Sequence, residues 1–421
     1  MSQTKIITFL GKSSYETTYG YAEQTYKGKV FGEALHQFCQ YDMMLVCLTE
    51  EAKASAWPVL EALGDSRIKP VDIPTGRTTE EMWSTFKIIT QYVDEGDRVI
   101  FDITHGLRSL PFLAFLFAAY LKTAKNVTIE AIYYGAFDLK NDQKIAPVID
   151  LSEFVSMIDW LTATNRFVKL GDGQALANLL KSAIPSNTEL RNNPSTRPIR
   201  KQLEKSSEAI ENISLALSIT RPIETMESAT QLEKIIGNAE NSFEDRAKPF
   251  SLLADKIVKE YGQFALDNPK KIENFAAQLK IQLSMIKWYI DRDQLVQATT
   301  LAREWLVSVL VFKFDLSSQM FDNHEGRRPV ENALNNAAQK RKKNSHQIKS
   351  SKCDEQLESL PEADEIAKVW SKMTGLRNDI AHVGMNLSPT SAAKLKQNAV
   401  DLYPKLQQLA NKLIDNLGTI G

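Results

Sequence analysis

Val99-Ile-Phe-Asp-Ile-Thr-His-Gly-Leu-Arg-Ser-Leu-Pro111, followed by Phe-Leu-Ala-Phe-Leu-Phe-Ala-Ala-Tyr120, is the stretch from which the rest of the chain is read. Val99–Ile103 is a short apolar run, the pattern of a buried strand. Asp102, Thr104, His105, Gly106, Arg108 and Ser109 then crowd into one turn. Pro111 lies just inside the start of a long apolar helix, where a missing N–H costs nothing. The order is strand, polar turn, helix. In an open parallel sheet such turns sit at the carboxyl ends of the strands, where ligands bind.

Working outward, residues 1–150 alternate strand-like and helix-like segments. Lys5–Leu10, Met43–Leu48, Ile68–Ile73, Val99–Ile103, Val127–Tyr134 and Ala146–Ile149 read as strands. Thr78-Thr-Glu-Glu81 has capping-box spacing ahead of Met82, Phe86, Ile89 and Val93, which recur at helical intervals. The alternation predicts a mainly parallel, doubly wound, Rossmann-like sheet. After about residue 151 strand signals stop. Helices are expected near 153–163, 175–184, 199–217, 226–243, 248–266, 270–290, 294–314, 329–342, 362–382 and 389–417. Pro185–Pro198 is polar, broken by prolines and expected to be a loop. Gln339–Lys352 is basic, lacks apolar periodicity and is expected to be an exposed segment. The fold class is therefore α/β plus all-α, divided at 1–155, 156–268 and 269–421. The first is the sheet domain, the second a helical linker region and the third a helical domain.

The totals narrow the function. The 421 residues suggest two or three domains, and 43% apolar residues suffice for their cores. A net charge of −1 provides no global attraction to nucleic acid, so any such binding must be local. Cys39, Cys47 and Cys353 form no CxxC pair, which fits a reducing compartment and no structural zinc. The opening MSQTKIITFLGK runs directly into a strand without a signal-peptide pattern. Leu110–Leu121, read as the most apolar stretch, is too short to cross a bilayer. The expectation is a soluble cytoplasmic protein without a membrane partner.

Three elements carry candidate chemistry. Gly11-Lys12-Ser13 resembles the end of a P-loop, but the first glycine of that motif would fall at Ile6, so the motif fails. What remains is Gly11, Lys12, Ser13 and Ser14 after the first strand, suited to phosphate or to an ordinary polar loop with equal weight. In the second turn, Gly106 permits close approach of a ligand and Arg108 can hold a phosphate. Ser109 can cap the next helix. His105 is a base, a ligand or a donor. With five histidines and no i,i+3 or i,i+4 pair, metal binding is disfavoured. Asp102 and Thr104 could simply satisfy turn amides. Two anion-friendly turns on one sheet favour binding, and no nucleophile–base–oxyanion arrangement accompanies them. The third element is Arg377-Asn378-Asp379-Ile380-Ala381-His382. An Arg and a His five apart lie about 140° round a helix and about 7.5 Å along it, so both can border one groove. An imidazole moves protons, and a guanidinium stabilises a phosphorane-like charge. Together they could cleave RNA without metal, because the 2′-OH is the nucleophile. Spacing alone favours an incidental surface pair, since Arg341 and His346 share it.

Together these features resemble one family. Asp102-x-Thr104-His105-Gly106 resembles the DxTHG motif of CRISPR-associated proteins with a CRISPR-associated Rossmann-fold (CARF) domain. Phe9-Leu10-Gly11 with Thr17-Thr18-Tyr19, and Pro147-Val-Ile-Asp150 running into Ile158-Asp-Trp-Leu161, are similar to the same family. Arg377-Asn378-x-x-x-His382 resembles the R-x4-H motif of the HEPN ribonuclease domains that commonly follow. The resemblance implies a CARF domain that binds cyclic oligoadenylate, with rings of four or six adenylates, across a dimer axis. Its contacts would be Gly11, Lys12, Ser13, Ser14, Asp102, Thr104, His105, Gly106, Leu107, Arg108 and Ser109. It also implies HEPN dimers in which Arg377, Asn378 and His382 cut single-stranded RNA, with no cofactor and no metal, in type III CRISPR antiviral defence. A homodimer or an oligomer of dimers follows, and activation would be allosteric. Two other readings stand beside this one. The first is a ligand-sensing regulator without nuclease activity. The second is a ring nuclease that degrades its own ligand with Lys12, Ser13 and His105.

Overall fold

The computed structural model describes residues 2–105, 110–237, 243, 246–341, 350–385 and 387–414. Two compact units divide the chain, residues 1–159 and 160–421.

The first unit is an eight-stranded sheet: β1 (Thr4–Leu10), β2 (Thr17–Tyr21), β3 (Gln24–Gly28), β4 (Met43–Leu48), β5 (Ile68–Asp72), β6 (Arg98–Asp102), β7 (Thr128–Gly135) and β8 (Ile145–Asp150). Their order is β3-β2-β8-β7-β6-β1-β4-β5. β5, β4, β1, β6 and β7 are all parallel, and β8 runs antiparallel to β7. This is the doubly wound order, with the connections diverging to opposite sides between β1 and β6. Successive residues of β1 point to opposite faces. Ile6 joins Met44, Val46 and Ile100 in one core under helix Phe31–Phe38. Ile7 and Phe9 join Leu45, Val99 and Phe101 in the other, under helices Thr79–Gln91 and Leu110–Ala124. Burial on both sides explains why these strands read as continuous apolar runs.

Two expectations need correction here. The hairpin β2–β3 was not anticipated as strands. Its two-residue turn, Ala22-Glu23, lacks the Asn or Gly that usually marks a hairpin, although Ala22 takes φ 53°. The expected loop 185–198 contains helix Asn187–Asn192 and a 3₁₀ turn at Pro194–Thr196. The Ser186 hydroxyl caps that helix by accepting from Glu189 N–H at 3.2 Å, a signal the prolines obscured.

The second unit is all helical. One core runs from Trp160 to Ile414 and takes in both the expected linker region and the expected C-terminal domain. Its central helix is Leu295–Lys313, which buries Trp305 and Leu306. That helix, rather than Leu110–Leu121, is long and apolar enough to span a membrane by composition. In this fold 61% of its apolar window is buried as core. Helix Ala363–Ala381 packs Ile366, Val369, Trp370, Met373 and Leu376 inward, and Trp370 Nε1 donates to Asn335 at 2.9 Å. The basic segment expected at 339–352 lies largely outside the described residues, at 342–349. So do the expected helix ends at 238–242 and 415–417.

Candidate functional site

A cleft of about 790 Å³ opens at the carboxyl ends of β1, β4, β5 and β6, at the point where the sheet's connections diverge. Gly11, Lys12, Ser13, Thr104 and His105 line it. Ser14 and Asp102 do not. Gly106, Leu107, Arg108 and Ser109 lie outside the described residues.

The D-x-T-H residues form ties between strands. Asp102 is fully buried. Its Oδ2 accepts from the Thr8 hydroxyl at 2.5 Å, linking β6 to β1, and its Oδ1 accepts from Thr104 N–H at 2.7 Å. Thr104 Oγ1 in turn accepts from Gly135 N–H at 2.8 Å, fixing the end of β7. Gly135 has no room for a side chain, since a Cβ there would lie 2.8 Å from the Tyr19 ring. His105 Nε2 accepts the backbone N–H of Phe31, the first residue of helix Phe31–Phe38, at 3.1 Å. Asp102 is thus a turn and strand anchor, as one of its two sequence readings held.

The last contact sets the chemistry of His105. An N–H must face a lone pair, so Nε2 is unprotonated and the neutral ring carries its hydrogen on Nδ1. Burial lowers the pKa of His105 from 6.5, against the attraction of Asp102. Burial also raises that of Asp102 from 3.8, against the His105 charge and the Thr8 and Thr104 hydrogen bonds. His105 is therefore a neutral donor at the cleft wall, poorly suited to shuttling protons.

The cleft's charges come from Lys12, Glu51 and Arg77. Lys12 Nζ lies 2.9 Å from Glu51 Oε2, with both side chains exposed. Arg77 was missed by sequence reading. It follows β5, and its loop is organised by Glu81, whose Oε2 accepts from Arg77 N–H at 2.8 Å and from the Thr75 hydroxyl at 3.2 Å. The anticipated Thr78 cap is present, accepting from Glu81 N–H at 3.2 Å. The available signal was position: Thr75-Gly-Arg77 follows an expected strand on the ligand side. Two cations, a neutral imidazole donor and hydroxyls suit an anionic ligand. Among the described residues no three of His, Cys, Asp and Glu converge as a metal-ligand set.

In the second unit, Arg377 and Asn378 touch, with Arg377 Nη1 donating to Asn378 Oδ1 at 3.2 Å. His382 caps the helix through its backbone, its N–H donating to Asn378 O at 2.9 Å. Its ring is exposed, with no side-chain hydrogen bond among the described residues. Gly375, Asn378 and His382 share the solvent face of the helix. Val383, Met385 and Leu387 beyond it are 73%, 83% and 105% exposed.

Residues 156–271 match the family model described as CRISPR-associated protein MJ1674, second domain. A curated relative, the CRISPR-associated protein MJ1674 of Methanocaldococcus jannaschii, is 30% identical over 124 residues. That stretch is 29% of this chain and spans 19% of the relative's own length.

Proposed function

We propose that this protein is a CRISPR-associated RNA-cutting effector switched on by a cyclic oligoadenylate. The match of residues 156–271 supports the CRISPR association. The observation that carries the sensing role is the cleft at the divergence of β1 and β6, where Gly11, Lys12, Ser13, Thr104, His105 and Arg77 meet. A phosphodiester ring takes Lys12 and Arg77 on its phosphates and the His105 Nδ1–H as a further donor. The exposed Arg377–Asn378 pair and His382 supply the cutting chemistry. His382 removes the 2′-hydroxyl proton, Arg377 holds the negative charge that builds on the non-bridging phosphate oxygens as the 2′-oxygen attacks, and the P–O5′ bond breaks as the 5′-oxygen takes a proton from solvent. The expected products are a 2′,3′-cyclic phosphate and a 5′-hydroxyl.

A second copy completes this reading. Trp83, Phe112, Leu116 and Tyr120 leave an exposed apolar face on helices Thr79–Gln91 and Leu110–Ala124, and Val383, Met385 and Leu387 leave another beside His382. Contiguous apolar patches of this kind mark protein interfaces.

The test is cleavage of a labelled single-stranded RNA with cyclic tetra-adenylate, cyclic hexa-adenylate or neither, with and without a chelator. Cleavage should require one ring and survive the chelator. His382→Ala should lose it by about 10²-fold or more while still binding the ring. Wild-type cutting by His382→Ala would sink the assignment. The same variant tests the reading in which the cleft cleaves its own ligand, which has Lys12 and Ser13 in the cleft wall in its favour. An intact ring after prolonged incubation rules that out.

A further inference from the structure

The cleft has a second kind of wall that phosphate binding does not use. Tyr15 lines it with a side chain from the loop after β1, and that residue is 63% exposed. Its backbone is held at both ends. Tyr15 N–H donates to Lys29 O at 3.1 Å, and its carbonyl accepts from the Thr17 hydroxyl at 3.2 Å. The loop therefore presents the ring from a fixed backbone. Phe137, from the turn after β7, backs it with ring centroids 6.2 Å apart at 43°. Phe137 is itself held, with Lys140 Nζ 3.6 Å from its centroid. An aromatic ring left in solvent at a cleft lined by cations, with a second ring behind it, has the makings of a stacking platform. Such platforms accept a nucleobase without reading its edge, because every base has a π-face.

We infer that Tyr15, backed by Phe137, stacks a nucleobase of the ligand whose phosphates Lys12 and Arg77 hold. This deepens the activator reading above and rests on it. Lys12 follows β1 by two residues and Tyr15 by five, so a phosphate and its base can be held by one short loop. Tyr15 then selects a nucleotide over a bare polyphosphate, while Lys12 and Arg77 select charge.

The full-length protein is titrated with cyclic tetra-adenylate and cyclic hexa-adenylate, each carrying one 2-aminopurine. Parallel titrations use 2-aminopurine riboside triphosphate and inorganic tripolyphosphate. Stacking quenches 2-aminopurine. Wild type and Tyr15→Phe should both quench it. Tyr15→Leu, at a largely exposed site and checked for fold by circular dichroism, should lose the quench. It should also lose roughly ten-fold or more in affinity for the base-bearing probe, the usual worth of one stacked base, with tripolyphosphate binding unchanged. Equal quench and affinity in Tyr15→Leu overturns the platform. So does a change of sedimentation in that variant with quench retained, since Tyr15 would then serve an interface. If neither ring binds but the riboside triphosphate quenches in a Tyr15-dependent way, the ring reading falls and the platform stands. If no base-bearing probe binds, both fall.

Discussion

Nε2 of His105 accepts the backbone N–H of Phe31 at 3.1 Å, joining the turn after β6 to the start of a helix 74 residues earlier in the chain. Phe31 is fully buried, so this N–H has no water to fall back on. His105→Ala should lower stability by about 1–3 kcal/mol through the orphaned donor. His105→Gln, which keeps an acceptor, should restore most of it. Chemical denaturation of the sheet unit reads this, and equal midpoints for all three proteins would dissociate His105 from the helix.

The same contact fixes a pH dependence. Burial holds the folded pKa of His105 below 6.5, so the unfolded chain binds the extra proton first as pH falls. Stability contributed by the neutral ring is then present above 6.5 and lost as pH falls through the lower folded value. Protonation would also set an N–H at Nε2 against that of Phe31. Stability should hold above 6.5 and decline below it, and His105→Gln should flatten that decline. An imidazole NMR titration with a midpoint at or above 6.5 overturns this.

Glu51 competes with any anion for Lys12. Their ion pair is 2.9 Å long, and both side chains are exposed. An exposed, solvent-screened pair holds its partners only weakly, so releasing Lys12 should tighten polyphosphate or ring binding modestly, by up to roughly five-fold. Glu51→Gln in isothermal titration tests it, with the gain shrinking as salt rises. Weaker binding by that variant would show that Glu51 itself holds the ligand.

Gly375 offers a test whose two readouts move apart. It lies within helix Ala363–Ala381, and a Cβ there meets nothing within 4 Å. Gly375→Ala should therefore raise the helical unit's stability by about 0.5–1 kcal/mol. If a second copy approaches the face that Gly375 shares with Asn378 and His382, Gly375→Leu should lower RNA cleavage while leaving the fold intact. Full activity in Gly375→Leu would move the interface elsewhere.

Legibility followed burial. β1, β4 and β6 were readable because they are covered on both faces and so carry nearly continuous apolar runs. The β2–β3 hairpin was not, because its turn uses Ala22-Glu23 and its side chains are largely partly buried or exposed. Lys12, Thr104 and His105 were found by residue type after a strand. Arg77 escaped although it follows an expected strand on the ligand side, and Tyr15 escaped because its place at the cleft depends on how the loop after β1 folds back. Asp102 could be read as satisfying a turn amide, but its bond to Thr8 across to β1 could not, because only the fold brings those strands together. Residues 377–382 could be placed on a helix, yet which face points outward depended on Trp370 and Met373 finding the core.

The core of the helical unit bears on where its pieces can be separated. Similarity to a known domain ends at residue 271, but physical cohesion does not. Tyr289 donates its hydroxyl to Leu217 O at 2.7 Å, Arg292 reaches Val168 O at 3.1 Å, and the Trp288 ring fills the space beside Gly171 where a Cβ would be 2.9 Å away. These three residues come from outside the matched stretch and close its polar ends and one of its gaps. A polypeptide cut at 271 would remove the Tyr289 and Arg292 bonds to Leu217 O and Val168 O, leaving Leu217 O with the Thr220 N–H, and would uncover Gly171 where the Trp288 ring lies. The stretch recognisable by similarity is thus smaller than the compact unit in which its core is shared.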